Sequence, residues 1–165
     1  MVPLNGKRIF VRFRPRACKC SQPTLRSPFD TLLRDAIALN IGSDSWQQER
    51  VATAYQVARD IGATIKLFLS FDFAEMGCPS SATIANRVNE FKDHPNQFRY
   101  NGKVFISTFE GRCLGDGGWA DVKARTNGYL MPFISGLENN FQHWPALDSW
   151  FWWVLPQELD LRGLI

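Results

Sequence analysis

The chain has 165 residues, of which 45% are hydrophobic and 13% aromatic, so it is long and apolar enough to bury a core and is not a disordered segment. Its formal charge of +3 is unevenly placed. Residues 1–35 hold eight Lys or Arg against Asp30 and Asp35, whereas the remainder carries a small acidic excess. Arg12, Arg14 and Arg16 alternate in a short Pro-containing run with no helix to present them as a stripe, which argues against a nucleic-acid partner. No apolar stretch approaches the ~20 residues of a membrane span, and the charged start Met1–Arg8 is followed by no apolar signal-peptide core. Cys18, Cys20, Cys78 and Cys113 match no metal-ligand spacing, and His94 and His143 stand far apart, so no metal is expected. One disulfide is compatible with export, but the spacing does not pair the cysteines.

From residue 35 onward the chain becomes rhythmic. Ala36–Ile41 is a short apolar run of the kind buried on both faces of a parallel sheet. Gly42 and Ser43 interrupt it, Asp44 and Ser45 offer helix caps, and Ser45 to Gln48 has capping-box spacing. A helix over 46–61 then places Val51, Ala54, Tyr55, Ala58 and Ile61 on one face and closes at Gly62. The alternation continues with a strand over 65–71, a loop at Cys78–Ser81, a helix over 82–91 and a strand over 104–109. A glycine loop over 115–118 and a short helix over 119–125 come next. A strand over 129–134 is expected to pair weakly because of Pro132, and a last strand is expected over 148–153.

Alternating buried strands and amphipathic helices predict parallel βα units. No glycine-rich phosphate loop follows the first strand, which removes the main argument for a dinucleotide fold. Instead Asn40, Asp72 and Glu110 stand at the ends of three successive strands. Polar groups at strand C-termini build the sites of (β/α)8 barrels, although Asn and Asp at such places also serve as turn formers and helix caps.

The strings Ala38-Leu-Asn-Ile-Gly42, Ser43-Asp-Ser-Trp46, Leu69-Ser-Phe-Asp72, His94-Pro-Asn-Gln-Phe98, Tyr100-Asn-Gly-Lys103, Ser107-Thr-Phe-Glu-Gly111 and Gly117-Gly-Trp119, in this order, resemble glycoside hydrolase family 71, the fungal endo-α-1,3-glucanases or mutanases. The resemblance covers about residues 35–153. It implies an α/β fold, an incomplete (β/α)8 barrel of about four to five βα units over 35–165, preceded by an atypical basic segment over 1–34. It further implies hydrolysis of α-1,3-glucan with inversion, an extracellular or cell-wall setting, no cofactor, no membrane, and a monomer when complete. Two carboxyl groups carry such a reaction, one protonating the leaving oxygen and one activating water.

By this resemblance Asp72 is the catalytic candidate, and Asn40, Asp44, Trp46, Glu110 and Trp144 are the substrate-binding candidates. Trp144 is the sugar-stacking choice among the tryptophans, while Trp150, Trp152 and Trp153 are assigned to the core and Asp148 to a structural role. The family's main acidic pair belongs to a motif like Trp-Asn-Asp-Tyr-Gly-Glu-Ser, which nothing in these residues matches. A barrel takes about 250 residues, so the expectation is a truncated, inactive hydrolase segment. A non-catalytic glucan-binding remnant is the alternative.

Overall fold

The computed structural model describes residues 36–151. Five strands form one sheet: β1 (Ala36–Ile41), β2 (Lys66–Asp72), β3 (Arg99–Tyr100), β4 (Lys103–Phe109) and β5 (Gly128–Phe133). Strands β1, β2, β4 and β5 pair in that order and all run parallel. The order never reverses, unlike that of a doubly wound sheet. Between them lie the helices α1 (Ser45–Asp60), α2 (Phe73–Met76), α3 (Ser81–Phe91) and α4 (Gly115–Thr126).

The two faces of the sheet are covered differently. Leu67, Leu69 and Phe71 of β2, with Val104 and Ile106 of β4 and Leu130 of β5, share one core with the helix residues Val51, Tyr55, Ile84, Val88, Trp119 and Val122. The alternate residues Phe68, Phe105 and Met131 form a separate cluster that contains no helical residue. Its neighbours are Ala36, Ala38, Tyr129 and Phe151 together with Phe98 and Tyr100. All three long helices therefore pack on one face, and the other face is floored by rings. Phe68 and Phe105 meet edge to face at 4.8 Å, and Phe105 stacks on Tyr129 at 5.8 Å.

The His94–Phe98 string locks the floor in place. Residues 96–100 wedge between β2 and the start of β4, with Phe98 N donating to Leu67 O and Phe105 N to Phe98 O. Buried Asn96 donates to Ala63 O and Ile65 O, at 2.8 and 3.0 Å. The Tyr55 hydroxyl reaches buried Gln97 Oε1 at 2.7 Å, and burial pushes the Tyr55 phenol well above its usual range. His94 stands beside this hub, accepting from Asn96 N at Nδ1 and facing the Arg59 guanidinium at Nε2. A neutral imidazole has one acceptor nitrogen, so it serves one of these donors at a time. Burial and the Arg59 charge both lower its pKa.

Several sequence expectations are corrected. Helix α1 begins at Ser45 with Asp44 as its N-cap residue, and no side-chain cap bond forms there. The capping box is absent because Gln47, not Gln48, turns back and its Oε1 accepts from Gly42 N. The C-terminal reading holds: Gly62 has φ 62°, and Gly62 N and Ala63 N return to Arg59 O and Ala58 O. The glycine loop at 115–118 is instead the first turn of α4. Burying Trp119, 1% exposed, outweighs the poor helix propensity of three glycines.

Strand β5 is fully paired, from Val104↔Gly128 to Phe109↔Phe133. Pro132 does no harm there. The carbonyls of Leu130 and Pro132 accept from Ser149 N and Phe151 N, so the backbone groups of both residues point away from β4, and the proline's missing N–H falls outside the ladder. The segment 148–151 is not a strand, although it donates to β5. Residues 152–153 of that expected strand, with Trp152 and Trp153, and the basic segment 1–34 lie outside the described residues.

Candidate active site

Because β1, β2 and β4 are parallel, their C-terminal ends share one rim. In register, Asn40 lies opposite Ser70, and Asp72 opposite Phe109. Alternation places Asn40, Ser70 and Asp72 on the face away from the helices, directly above the aromatic floor. Asn40 Nδ2 points at Asp72 Oδ2 at 3.4 Å. Asp72 Oδ1 meanwhile accepts from Ala74 N at 3.2 Å and caps α2. One carboxylate oxygen of Asp72 therefore caps α2 while the other faces Asn40. Asn40 Oδ1 is buried and accepts no hydrogen bond among the described residues, an arrangement that costs about 1–3 kcal/mol unless a donor arrives.

The third rim residue has a different partner. Glu110 lies just past β4 with φ 61°, a conformation that is strained for a residue with a Cβ. Thr108 Oγ1 holds its carbonyl at 2.7 Å. Its carboxylate takes both the hydroxyl and the N–H of Ser135, the latter at 3.3 Å. The structure thus joins Asn40 to Asp72 and Glu110 to the end of β5.

Asp44 and Trp46 stand at the same rim, on the loop and first helical turn that follow β1. Asp44 is exposed and free of a cap bond, and Trp46 is 57% exposed. Trp144 is placed elsewhere: it is half-buried and packs against the helix-side core. The aromatic surface next to Asp72 comes instead from Phe109, its register partner, and Phe133, whose rings stack at 5.4 Å. Sequence reasoning missed both as site residues. The available signal was their place at the strand ends, level with Asp72.

Sequence reasoning also left the cysteines unpaired. Cys78, six residues beyond Asp72, is bonded to Cys113, three beyond Glu110, with Cα atoms 6.1 Å apart. The bond ties together the two loops that follow the acid-bearing strands. Asp148 is structural, as expected: its carboxylate takes Lys123 Nζ at 2.8 Å and Leu130 N at 2.9 Å. Among the described residues no group of three or more His, Cys, Asp or Glu is arranged to hold a metal, and no helix is long and apolar enough to cross a membrane.

The rim can therefore present a carboxylate, an amide, an exposed indole and stacked phenyl rings to a polyhydroxylated ligand. Glucan endo-1,3-alpha-glucosidase agn1 of Schizosaccharomyces pombe is 44% identical over 88 residues, covering 53% of this chain and 20% of that protein. The ascus wall endo-1,3-alpha-glucanase of the same yeast is 27% identical over 132 residues, 72% of this chain and 30% of that protein. Mutanase Pc12g07500 of Penicillium rubens is 34% identical over 93 residues, 56% of this chain and 20% of that protein. These matches span only 20% to 30% of the relatives' lengths. Among solved structures, a GH99 endo-alpha-mannosidase from Bacteriodes thetaiotaomicron superposes with a TM-score of 0.54 at 13% identity, covering 73% of this chain and 41% of that one, a likeness of fold alone. The sequence profile of glycosyl hydrolase family 71 matches residues 31–157, more than half of the chain, and the protein belongs to that family.

Proposed function

We propose that this chain carries part of the substrate cleft of an endo-acting α-1,3-glucan hydrolase, built on part of a (β/α)8 barrel. The unreversed strand order and the helices confined to one face support the barrel reading. On this reading Asp72 is the carboxylate at the scissile bond, and Asn40 aims it through its Nδ2. The buried Asn40 Oδ1 accepts a glucan hydroxyl. Phe109 and Phe133 carry the apolar face of a glucosyl ring, Trp46 and Asp44 meet a further unit along the rim, and Glu110 reads hydroxyls on the opposite side. Trp144, half-buried against the helix-side core, is given no sugar contact on this reading.

Hydrolysis needs a second carboxyl across the bond, so that one group protonates the leaving oxygen while the other activates water. Glu110 is engaged by Ser135, so Asp72 is the one acid assigned to the reacting bond. The Cys78–Cys113 bond fits an oxidising, extracellular or cell-wall setting.

The observation that carries the reading is the Asn40–Asp72 contact at adjacent strand ends, within the residues that the family profile matches. The test incubates residues 1–165 with insoluble α-1,3-glucan and with cellulose, measuring bound protein and released reducing sugar. Expected are preferential retention on α-1,3-glucan and no measurable sugar release from these residues alone. Asp72→Asn should leave retention intact, and in any active longer form should cut turnover by at least about a hundredfold. Equal retention on both polysaccharides would overturn the assignment.

A further inference from the structure

Ser135, immediately past β5, is gripped from two sides. Its hydroxyl and N–H go to the Glu110 carboxylate. Its carbonyl accepts from Arg112 Nη2. Gly136, at φ 79°, lets the guanidinium lie close: a Cβ there would stand 3.2 Å from Arg112 Nη2. Arg112 and Glu110 thus converge on one residue, yet among the described residues neither forms an ion pair. A carboxylate has about four lone-pair sites and a guanidinium five donors. Two of the former and one of the latter are used, so both groups keep unspent hydrogen-bonding capacity at an exposed place. Glu110 holds its carboxylate here from a backbone at φ 61°, strained for a residue with a Cβ.

From this arrangement we infer that Glu110, Arg112 and Ser135 form a sugar-hydroxyl clamp, a subsite that reads the C4 and C6 hydroxyls of one glucosyl unit. The inference rests on the glucan reading above and extends it. Each sugar hydroxyl both donates and accepts, so a carboxylate beside a guanidinium complements two neighbouring hydroxyls better than either group alone. In an α-1,3-linked chain the C3 oxygen is in the linkage, so an internal unit has no vicinal pair of free hydroxyls. Its neighbouring free pair is the one on C4 and C6. In an α-1,4-linked chain the C4 oxygen is in the linkage and that pair is lost. The clamp therefore favours the 1,3 linkage by the hydroxyls that linkage leaves free. It spans the ends of β4 and β5, about 5–10 Å along the rim from Asp72 on β2, where a unit next to the reacting one would lie.

The test is calorimetric titration of residues 1–165 with an α-1,3-linked glucotetraose, its analogue lacking the C6 hydroxyls, and a cyclic α-1,4-linked glucan, which has no terminal unit with a free C4 hydroxyl. Wild type should bind the first at least tenfold more tightly than either of the others. Glu110→Gln and Arg112→Met, each checked for an unchanged thermal midpoint, should lose that preference and bind the parent and deoxy ligands alike. If Glu110→Gln fails to fold, because its amide opposes Ser135 N–H, Arg112→Met decides alone. A variant that folds and keeps the wild-type preference overturns the clamp and leaves the glucan reading standing. A wild type that binds no α-1,3-linked ligand overturns the glucan reading, and the clamp with it.

Discussion

Removing the Cys78–Cys113 bond is the perturbation whose size the structure sets most directly. The two residues are 35 apart in sequence, and cross-linking a loop of that length removes chain entropy worth about 3.8 kcal/mol at 25 °C. A folded unit of about 120 residues unfolds with an entropy near 250 cal/mol/K, so the loss corresponds to a fall in midpoint of about 15 °C. The assay compares thermal unfolding of the oxidised chain, the chain in excess reductant, and the Cys78→Ser/Cys113→Ser double variant. Reduction and substitution should give the same large fall, and the reductant should do nothing further to the double variant. Glucan retention should also weaken below the new midpoint, because the loops after Asp72 and Glu110 are no longer tied. A shift under about 3 °C, with mass spectrometry confirming the bond in the oxidised sample, would refute the argument that this closure stabilises the fold.

Gly111→Ala should cost about 2–6 kcal/mol in denaturant unfolding. Gly111 has φ 118°, and a Cβ would stand 2.7 Å from Trp119 Cζ2, while the indole Nε1 is fixed to Gly111 O at 3.1 Å and cannot retreat. The pH dependence follows from His94, whose folded pKa lies below its unfolded value near 6.5. As pH falls through 6.5 the unfolded chain takes up the proton first, so stability is complete above that value and declines below it. Denaturant midpoints at pH 7.5 and 5 should show this decline in wild type and a smaller one in His94→Gln. Asp148→Asn should cost about 1–2 kcal/mol, since an amide cannot accept from both Lys123 and Leu130 N; a midpoint within error of wild type would contradict that role.

The sequence revealed what depends on local pattern. Val51, Tyr55 and Ala58 read as one helix face, and Leu67, Leu69 and Phe71 as a buried strand; all six are buried together. The rim was legible through Asn40, Asp72 and Glu110 because a parallel sheet sends every strand end to the same side. What stayed hidden depends on contacts between distant residues. Ser135 is an ordinary loop serine until β5 brings it to Glu110. Cys78 meets Cys113 only after two strands align. Phe109 and Phe133 were left unassigned because their place beside Asp72 depends on how the strands align in register. Trp144 illustrates the converse. An aromatic in a polar loop looks like a platform, but the two short 3₁₀ turns before it fold it back onto the core. The helix at Gly115 was missed because propensity treats glycine as a breaker, whereas a single buried indole decides the outcome.

The outer margin of β5 has a polarity of its own. At Leu130 the N–H is taken by a carboxylate from Asp148, and at Pro132 there is no N–H. The carbonyls of both residues accept from Ser149 and Phe151. Along these residues the margin takes hydrogen bonds and gives none to a neighbouring backbone. At these two residues a foreign strand would find no free N–H for its own carbonyls. The segment bearing Asp148 satisfies the same margin because it brings both the amides and the carboxylate that the margin lacks. The proline that looks like a flaw in the strand therefore costs this margin nothing, because its carbonyl is the group that Phe151 N needs.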